Sequence, residues 1–379
     1  DMGYKGEIEV IPNAVDTKIF STKIHSDFSN DLKNKLGKKE EDIFPGSWVC
    51  FEGKGVNDTI KQVIEEILSN SKKSSYYSIT KRISKETGLC VTAVFKYLKK
   101  DGHVPIPIIL SLLNIWKWTL DKGEEDVNNT KDLILREVLS VKLNNSVSKP
   151  VFAIKELNEN LCYIMGAHAA DGMLSLHLTF SCDNKNKLLQ FQSSLVKYFQ
   201  NLGFSKLYFD NHKGLYNIGI TLDDKLNERI SNFLFNNNLI KNKAIIYKKE
   251  FRWKLEEGYK SSVVSLCNLL NNCFSLKLNV KKSVHKSWLI STKNKIFARY
   301  FVEFFNFPYG KKSRVVDEPL IIKNSILDLR QAFFKGVMTF DGSVNKNNTL
   351  SFQCYSHKLT NSFCEVLRLS NVKFRVCKT

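Results

Sequence analysis

Apolar and polar positions along the chain fall into two different periods. Leu174, Leu176, Leu178 and Phe180 alternate with Ser175, His177, Thr179 and Ser181. A period of two predicts a strand with one buried and one polar face. Leu350, Phe352 and Cys354 alternate in the same way with Ser351, Gln353 and Tyr355. Residues 56–115 read as helices instead, with Ile60, Val63, Ile64 and Ile67 at helical spacing. Within that stretch, Ile79–Leu98 predicts two helices joined at Gly88. Ile83, Val94 and Leu98 would pack the pair together and leave Thr92, Lys96, Lys99 and Lys100 outside. Such a pair serves either as plain packing or as a helix-turn-helix that meets a DNA groove and its phosphates through Thr92 and Lys96. Residues 116–155 are mixed and polar, and predict a short helix followed by a linker.

Residues 156–379 form the largest unit and contain a repeat. Ile164-Met165-Gly166-Ala167-His168-Ala169-Ala170-Asp171-Gly172 matches Phe334-Lys335-Gly336-Val337-Met338-Thr339-Phe340-Asp341-Gly342 in its glycines and its Asp-Gly end. One Asp-Gly is only a turn, but two at matching offsets, each ending an apolar helix, suggest a pair. Gly166 and Ala170 lie one turn apart on one helix face, where small residues permit close backbone approach, and Gly336 would face them. Gly172 and Gly342 are expected to end their helices in the left-handed conformation. Asp171 and Asp341 would then stand together. Close carboxylates repel unless a divalent cation neutralises them, and oxygen-only ligands favour Mg²⁺, which activates water for phosphodiester cleavage. The alternative is a structural helix pair with two capping carboxylates. His168, inside the first copy, reads as a packed core residue rather than a ligand.

The charge narrows the partner. Lys and Arg number 57 against 38 Asp and Glu, a formal net charge of +19. Such a field attracts polyanions, although a Lys-rich genome would produce the same excess. Polar faces of strands can enter the major groove, which makes Ser175, His177, Thr179, Ser181 and Gln353 candidate DNA contacts; an ordinary half-solvated sheet is the other reading. Nine cysteines occur without C-x-x-C or zinc-finger spacing. They read as buried, unbridged thiols, which points to a reducing compartment and a cytoplasmic protein. No apolar run reaches the length of a membrane span, and no charged leader with an apolar core is recognisable.

The paired motifs resemble those of LAGLIDADG homing endonucleases. Gly310-Lys311-Lys312-Ser313 resembles the G-x-K-S segment before the second motif of intein-type members, Glu318-Pro319-Leu320-Ile321 their next segment, and Ala332–Gly336 the start of the motif helix. The likeness covers roughly 156–379. It implies an α+β fold of two pseudo-symmetric αββαββα halves in one monomer, with a saddle of strands on double-stranded DNA. It assigns catalysis and Mg²⁺ binding to Asp171 and Asp341. It also implies a lysine near the scissile phosphates, for which Lys213, Lys254 and Lys277 are candidates. Departures are Ala169 and Thr339 at a variable position, and Phe340 where a small residue is usual, which should loosen or shift the helix contact. Only 37 residues follow Gly342, so the second half is expected to be truncated.

Residues 1–45 differ from the rest. Ile8–Asp16, ending Ile11-Pro12-Asn13-Ala14-Val15-Asp16, with Asp31–Gly37 after it, resembles a stretch of GT-B (group 1) glycosyltransferases, with Ala14 in place of the common Gly. An endonuclease next to such a fragment raises protein splicing, with Cys50 as nucleophile. A Thr-x-x-His motif is missing from the following hundred residues, and the region reads as helical rather than all-β. The expected organisation is a glycosyltransferase-like fragment (1–45), a small helix-turn-helix region (46–115), a linker (116–155) and the endonuclease (156–379). The leading expectation is a site-specific, Mg²⁺-dependent double-strand DNA endonuclease. The rivals are an intein-embedded endonuclease, a non-catalytic DNA-binding regulator of the same fold, an RNA maturase and a glycosyltransferase remnant.

Overall fold

The computed structural model describes residues 49–379 apart from 72–73, 144–148, 154–156, 200–201, 223–228, 231–244, 345–348 and 378–379. The glycosyltransferase-like segment 1–45 lies outside the described residues. The chain is a mixed α/β protein, and among the described residues the strand pairs are all antiparallel.

The first part is built on a four-stranded sheet of order β2 (Val104–Pro105), β1 (Val49–Glu52), β3 (Ser140–Leu143), β4 (Val151–Phe152). Helices α1 (Lys54–Asn70), α2 (Tyr76–Thr87), α3 (Val91–Lys99), α4 (Ile106–Leu120) and α5 (Glu124–Glu137) surround it. Ile60, Val63, Ile64 and Ile67 bury the inner face of α1, as their spacing dictates. Ser75 and Ser78 form a capping box at the start of α2, and Gly88 ends it with φ 70°, a left-handed position that favours glycine. Ile83, Val94 and Leu98 are buried between α2 and α3, while Thr92, Lys96, Lys99 and Lys100 are exposed.

Residues 116–155 are not the expected linker. The boundary at 115 falls inside α4, α5 follows, and β3 closes the sheet by pairing Val49 with Leu143 and Glu52 with Ser140. Polar side chains hid this because α5 buries little beyond Val127, Ile134 and Leu135, and because β3 is short, with Ser140 buried alongside Val141 and Leu143.

The larger part holds a six-stranded sheet of order β6 (Tyr208–Asp210), β7 (Leu215–Leu222), β5 (Gly172–Cys182), β8 (Ile246–Glu257), β10 (Trp288–Thr292), β9 (Lys281–Lys282). Leu174, Leu176, Leu178 and Phe180 of β5 face inward, as expected. Phe251, Trp253 and Leu255 of β8 share that face. Helices α7 (Lys185–Tyr198), α8 (Lys260–Phe274) and α9 (Lys295–Phe305) cover it. The centre is aromatic: Trp253, Phe274, Phe297 and Phe301 meet mostly edge to face, with centroids 4.9–5.9 Å apart.

Two buried helices, α6 (Glu159–Asp171) and α11 (Leu327–Asp341), the latter preceded by the short α10 (Leu320–Lys323), pack along each other. After α11 come a two-stranded sheet, β11 (Gly342–Val344) and β12 (Leu350–Phe352), and helix α12 (His357–Leu369). The alternation expected across 350–355 is only partly kept, because β12 ends at Phe352 and Leu350 is exposed. None of the nine cysteines is disulfide-bonded; Cys90 and Cys377 are exposed, against the expectation of uniform burial. Among the described residues, no helix is long and apolar enough to cross a membrane.

Candidate functional site

The site rests on the contact between α6 and α11. A Cβ at Gly166 would run into the Phe333 carbonyl and come within 2.9 Å of the Val337 amide nitrogen. A Cβ at Gly336 would run into the Tyr163 carbonyl and come within 2.9 Å of the Ala167 amide nitrogen. The two glycines therefore make the same contact with the roles of the helices exchanged. Phe340 is buried and does not prevent this approach. Ala170 is half-buried one turn after Gly166. Replacing Gly166 by Ala should push the backbones apart and cost about 1–3 kcal/mol. Denaturant unfolding would measure it, with Gly258→Ala, where nothing lies within 4 Å of the new Cβ, as the control expected to change stability by less than ~0.5 kcal/mol. Equal stability of the two variants would mean that the helices do not touch at Gly166.

Both helices end at an Asp, and both run straight into a strand. The expected left-handed ends are not what is found: Gly172 has φ −67° and ψ 147°, Gly342 φ −84° and ψ 154°. Glycine is needed here for room instead. A Cβ at Gly172 would strike the His168 ring, and one at Gly342 would strike the Met338 carbonyl. These tight exits leave Asp171 and Asp341 at neighbouring helix ends, within each other's field. Burial, contact with the Glu257 carboxyl and the charge of Asp341 push Asp171 up from 3.8 to about 8. Burial also raises Asp341, against the lowering pull of Lys312.

Two residues complete the group. Lys312 Nζ donates to the Ala169 carbonyl at 2.6 Å and to that of Ala170, so its ammonium sits on the last turn of α6. Burial brings its pKa down to about 8 despite the attraction of Asp341 and Asp171. Glu257, the last residue of β8, is anchored through Oε1 by the backbone amides of Gly258 and, at 3.3 Å, Tyr259. Spacing alone did not find either one. Lys312 lies 143 residues from Ala169 in sequence and was recognisable only as part of the G-x-K-S segment. Glu257 has no local signal.

The other lysines are placed differently. Lys213 sits in the β6–β7 turn and pairs with Asp210 at 3.8 Å. That turn is at the Cys182 end of β5, roughly 30 Å from Asp171 at about 3.3 Å per residue, so Lys213 is not part of the carboxylate site. Lys254 is opposite Met173, next to the site, with Glu256 3.9 Å away. Lys277 is exposed in the loop after α8.

Of the strand residues, His177, Thr179 and Ser181 lie half-exposed on the outer face of β5. His177 is held by Ser175 Oγ and Thr221 Oγ1, each 3.1 Å from a ring nitrogen. Burial first, then Arg252, lowers its pKa. Ser175 is buried, which corrects its expected availability; its hydroxyl is taken up by His177 Nε2. Gln353 is exposed just beyond β12. His168 is a core residue, as read: its Nδ1 accepts from Trp253 Nε1 at 3.1 Å, and its ring meets Phe301 and Phe307. Burial holds it neutral. The thiol of Cys50 is buried in β1 and pushed up to about 12, the opposite of an activated nucleophile.

Hard carboxylate oxygens that burial and mutual repulsion make reluctant to ionise are a donor set suited to a divalent cation. Among the described residues, no three His, Cys, Asp or Glu side chains are arranged to hold a metal by themselves. Such an ion would keep several of its waters, as Mg²⁺ does. Compared with family models and with curated proteins, the chain gives no match to either.

Proposed function

We propose that this chain is a site-specific double-strand DNA endonuclease of the LAGLIDADG type, a monomer with internal pseudo-twofold symmetry. The observation that carries the reading is the reciprocal glycine contact of α6 and α11, which sets Asp171 and Asp341 side by side with Lys312. A structural helix pair has no need of two repelling carboxylates at one end. Asp171 and Asp341 would hold Mg²⁺, which when bound supplies water activation and charge neutralisation at the phosphate. Lys312, held by the Ala169 and Ala170 carbonyls, keeps a positive charge where a phosphodiester would sit. The outer face of β5, with His177, Thr179 and Ser181, would lie along the major groove, and Thr92 and Lys96 of α3 would add a second contact with the duplex.

A second reading is a DNA-binding regulator without cleavage. It draws on the exposed basic stripe of α3, Lys96, Lys99 and Lys100, a duplex contact that does not need the carboxylate pair. The test is to incubate the protein and Mg²⁺ with a plasmid library of randomised inserts and sequence the linear products. Specific cutting that is lost in both Asp171→Asn and Asp341→Asn is expected. Retained binding with no cutting by the unmodified protein favours the regulator, and cutting that survives both substitutions rules out the carboxylate pair as the active centre.

A further inference from the structure

The outer face of α3 contains a feature that phosphate binding does not need. Thr92, Phe95, Lys96 and Lys99 are all exposed and follow helical spacing, so they form one stripe. An exposed Phe at the centre of a basic stripe is costly in water. Phe95 remains 39% exposed and is nevertheless held in place. The Tyr76 ring meets it edge to face at 5.3 Å and 78°, and the Lys99 ammonium lies over it at 4.6 Å. Tyr76 belongs to the first turn of α2, so the tight turn at Gly88 is what brings the two rings together. Phe95 is therefore a fixed apolar projection between cations rather than a residue that turned outward for lack of room.

We infer that Phe95 reads thymine in the major groove by covering its C5 methyl group. The inference rests on the proposed contact between α3 and duplex DNA. Lys96 and Lys99, with Lys100 beside them, match the charge of the backbone but carry no sequence information. Thymine is the one base that presents a methyl group in the major groove, and phenylalanine is among the side chains that contact it. An apolar ring framed by phosphate-binding lysines favours A·T-rich sites over G·C-rich ones, whose groove edges carry no methyl group.

Deoxyuridine lacks that methyl and is otherwise the same base, so the test compares binding to alternating poly[d(A-T)] and poly[d(A-U)] duplexes in EDTA, where metal-dependent cutting is stopped. The full chain should prefer the thymine duplex by about 4-fold, the value of one buried methyl-sized group. Phe95→Ala should bring that ratio close to one. The double variant Lys96→Gln, Lys100→Gln, which leaves Lys99 over the Phe95 ring, should weaken binding to both duplexes, keep the ratio, and reduce the salt slope by about 1–2. Equal binding of the two duplexes by the unmodified chain, a comparison that needs no variant to fold, overturns the inference, as does a preference that Phe95→Ala retains. Binding that ignores Lys96 and Lys100 overturns instead the contact between α3 and DNA on which the inference rests.

Discussion

Asp171→Asn should abolish DNA cleavage and at the same time raise the melting temperature at pH 7.5. The activity loss is expected to reach roughly 10²–10³-fold or more, the scale seen when a group that stabilises transition-state charge is removed. The stability gain comes from the same chemistry. Burial, the Glu257 carboxyl and Asp341 push the folded-state pKa of Asp171 up from 3.8 to about 8. A carboxyl with a raised folded-state pKa binds its proton more tightly in the folded than in the unfolded chain. Its contribution is thus fully present below about pH 4 and is lost as pH rises towards 8. Asparagine has no proton to lose. The gain should therefore be absent near pH 4, grow through neutrality and level off above about pH 8. Melting curves in EDTA, with one kcal/mol worth on the order of 2 °C, measure it across that range. Destabilisation by Asn at neutral pH would contradict the crowding of carboxylates at this helix end. Added Mg²⁺ should narrow the difference between the two proteins by stabilising only the unsubstituted one.

Glu318→Ala should destabilise the protein by about 3–5 kcal/mol, the cost of leaving a buried charge without its partner. Arg330 lies in the first part of α11 and is only 4% exposed, and Glu318 is 1% exposed. Its Nε donates to Glu318 Oε1 at 2.9 Å and its Nη2 to Oε2 at 2.8 Å, with Glu365 of α12 accepting a further bond at 3.0 Å. This paired fork ties the motif helix to the segment before it and to the helix after it. Removing both charges, as Glu318→Leu with Arg330→Met, should recover most of the loss, because the desolvation cost disappears along with the attraction. Denaturant midpoints at constant slope provide the comparison. A loss below about 1 kcal/mol in Glu318→Ala would mean that the pair is open to water.

Local patterns carried much of the fold because their causes are local. The inner face of β5, the buried face of α1 and the Ile83–Val94–Leu98 packing of α2 on α3 follow from periods of 2 and 3.6, which act within a few residues. The paired Asp-Gly ends were legible for the same reason, since two copies of one short pattern need no knowledge of what lies between them. The stretch 116–155 was misread because α5 buries only one face and β3 is four residues long, and the burial of β3 has a meaning only once β1, some 90 residues earlier, lies beside it.

What period and repetition alone determined, then, was the course of β5, α1, α2 and α3, and that Asp171 and Asp341 each end a motif helix. Tertiary structure decided how those ends are used. It made Gly172 and Gly342 necessary for space rather than for left-handed backbone, it buried Ser175, and it set Lys312 on the last turn of α6 and Lys213 at the far end of β5. The physical reason is distance along the chain. The low-dielectric surroundings of Lys312 and its carbonyl partners Ala169 and Ala170, 143 and 142 residues away, leave no trace in a local pattern, and the room at each exit, limited by His168 and Met338, is fixed only once the chain turns from helix into strand.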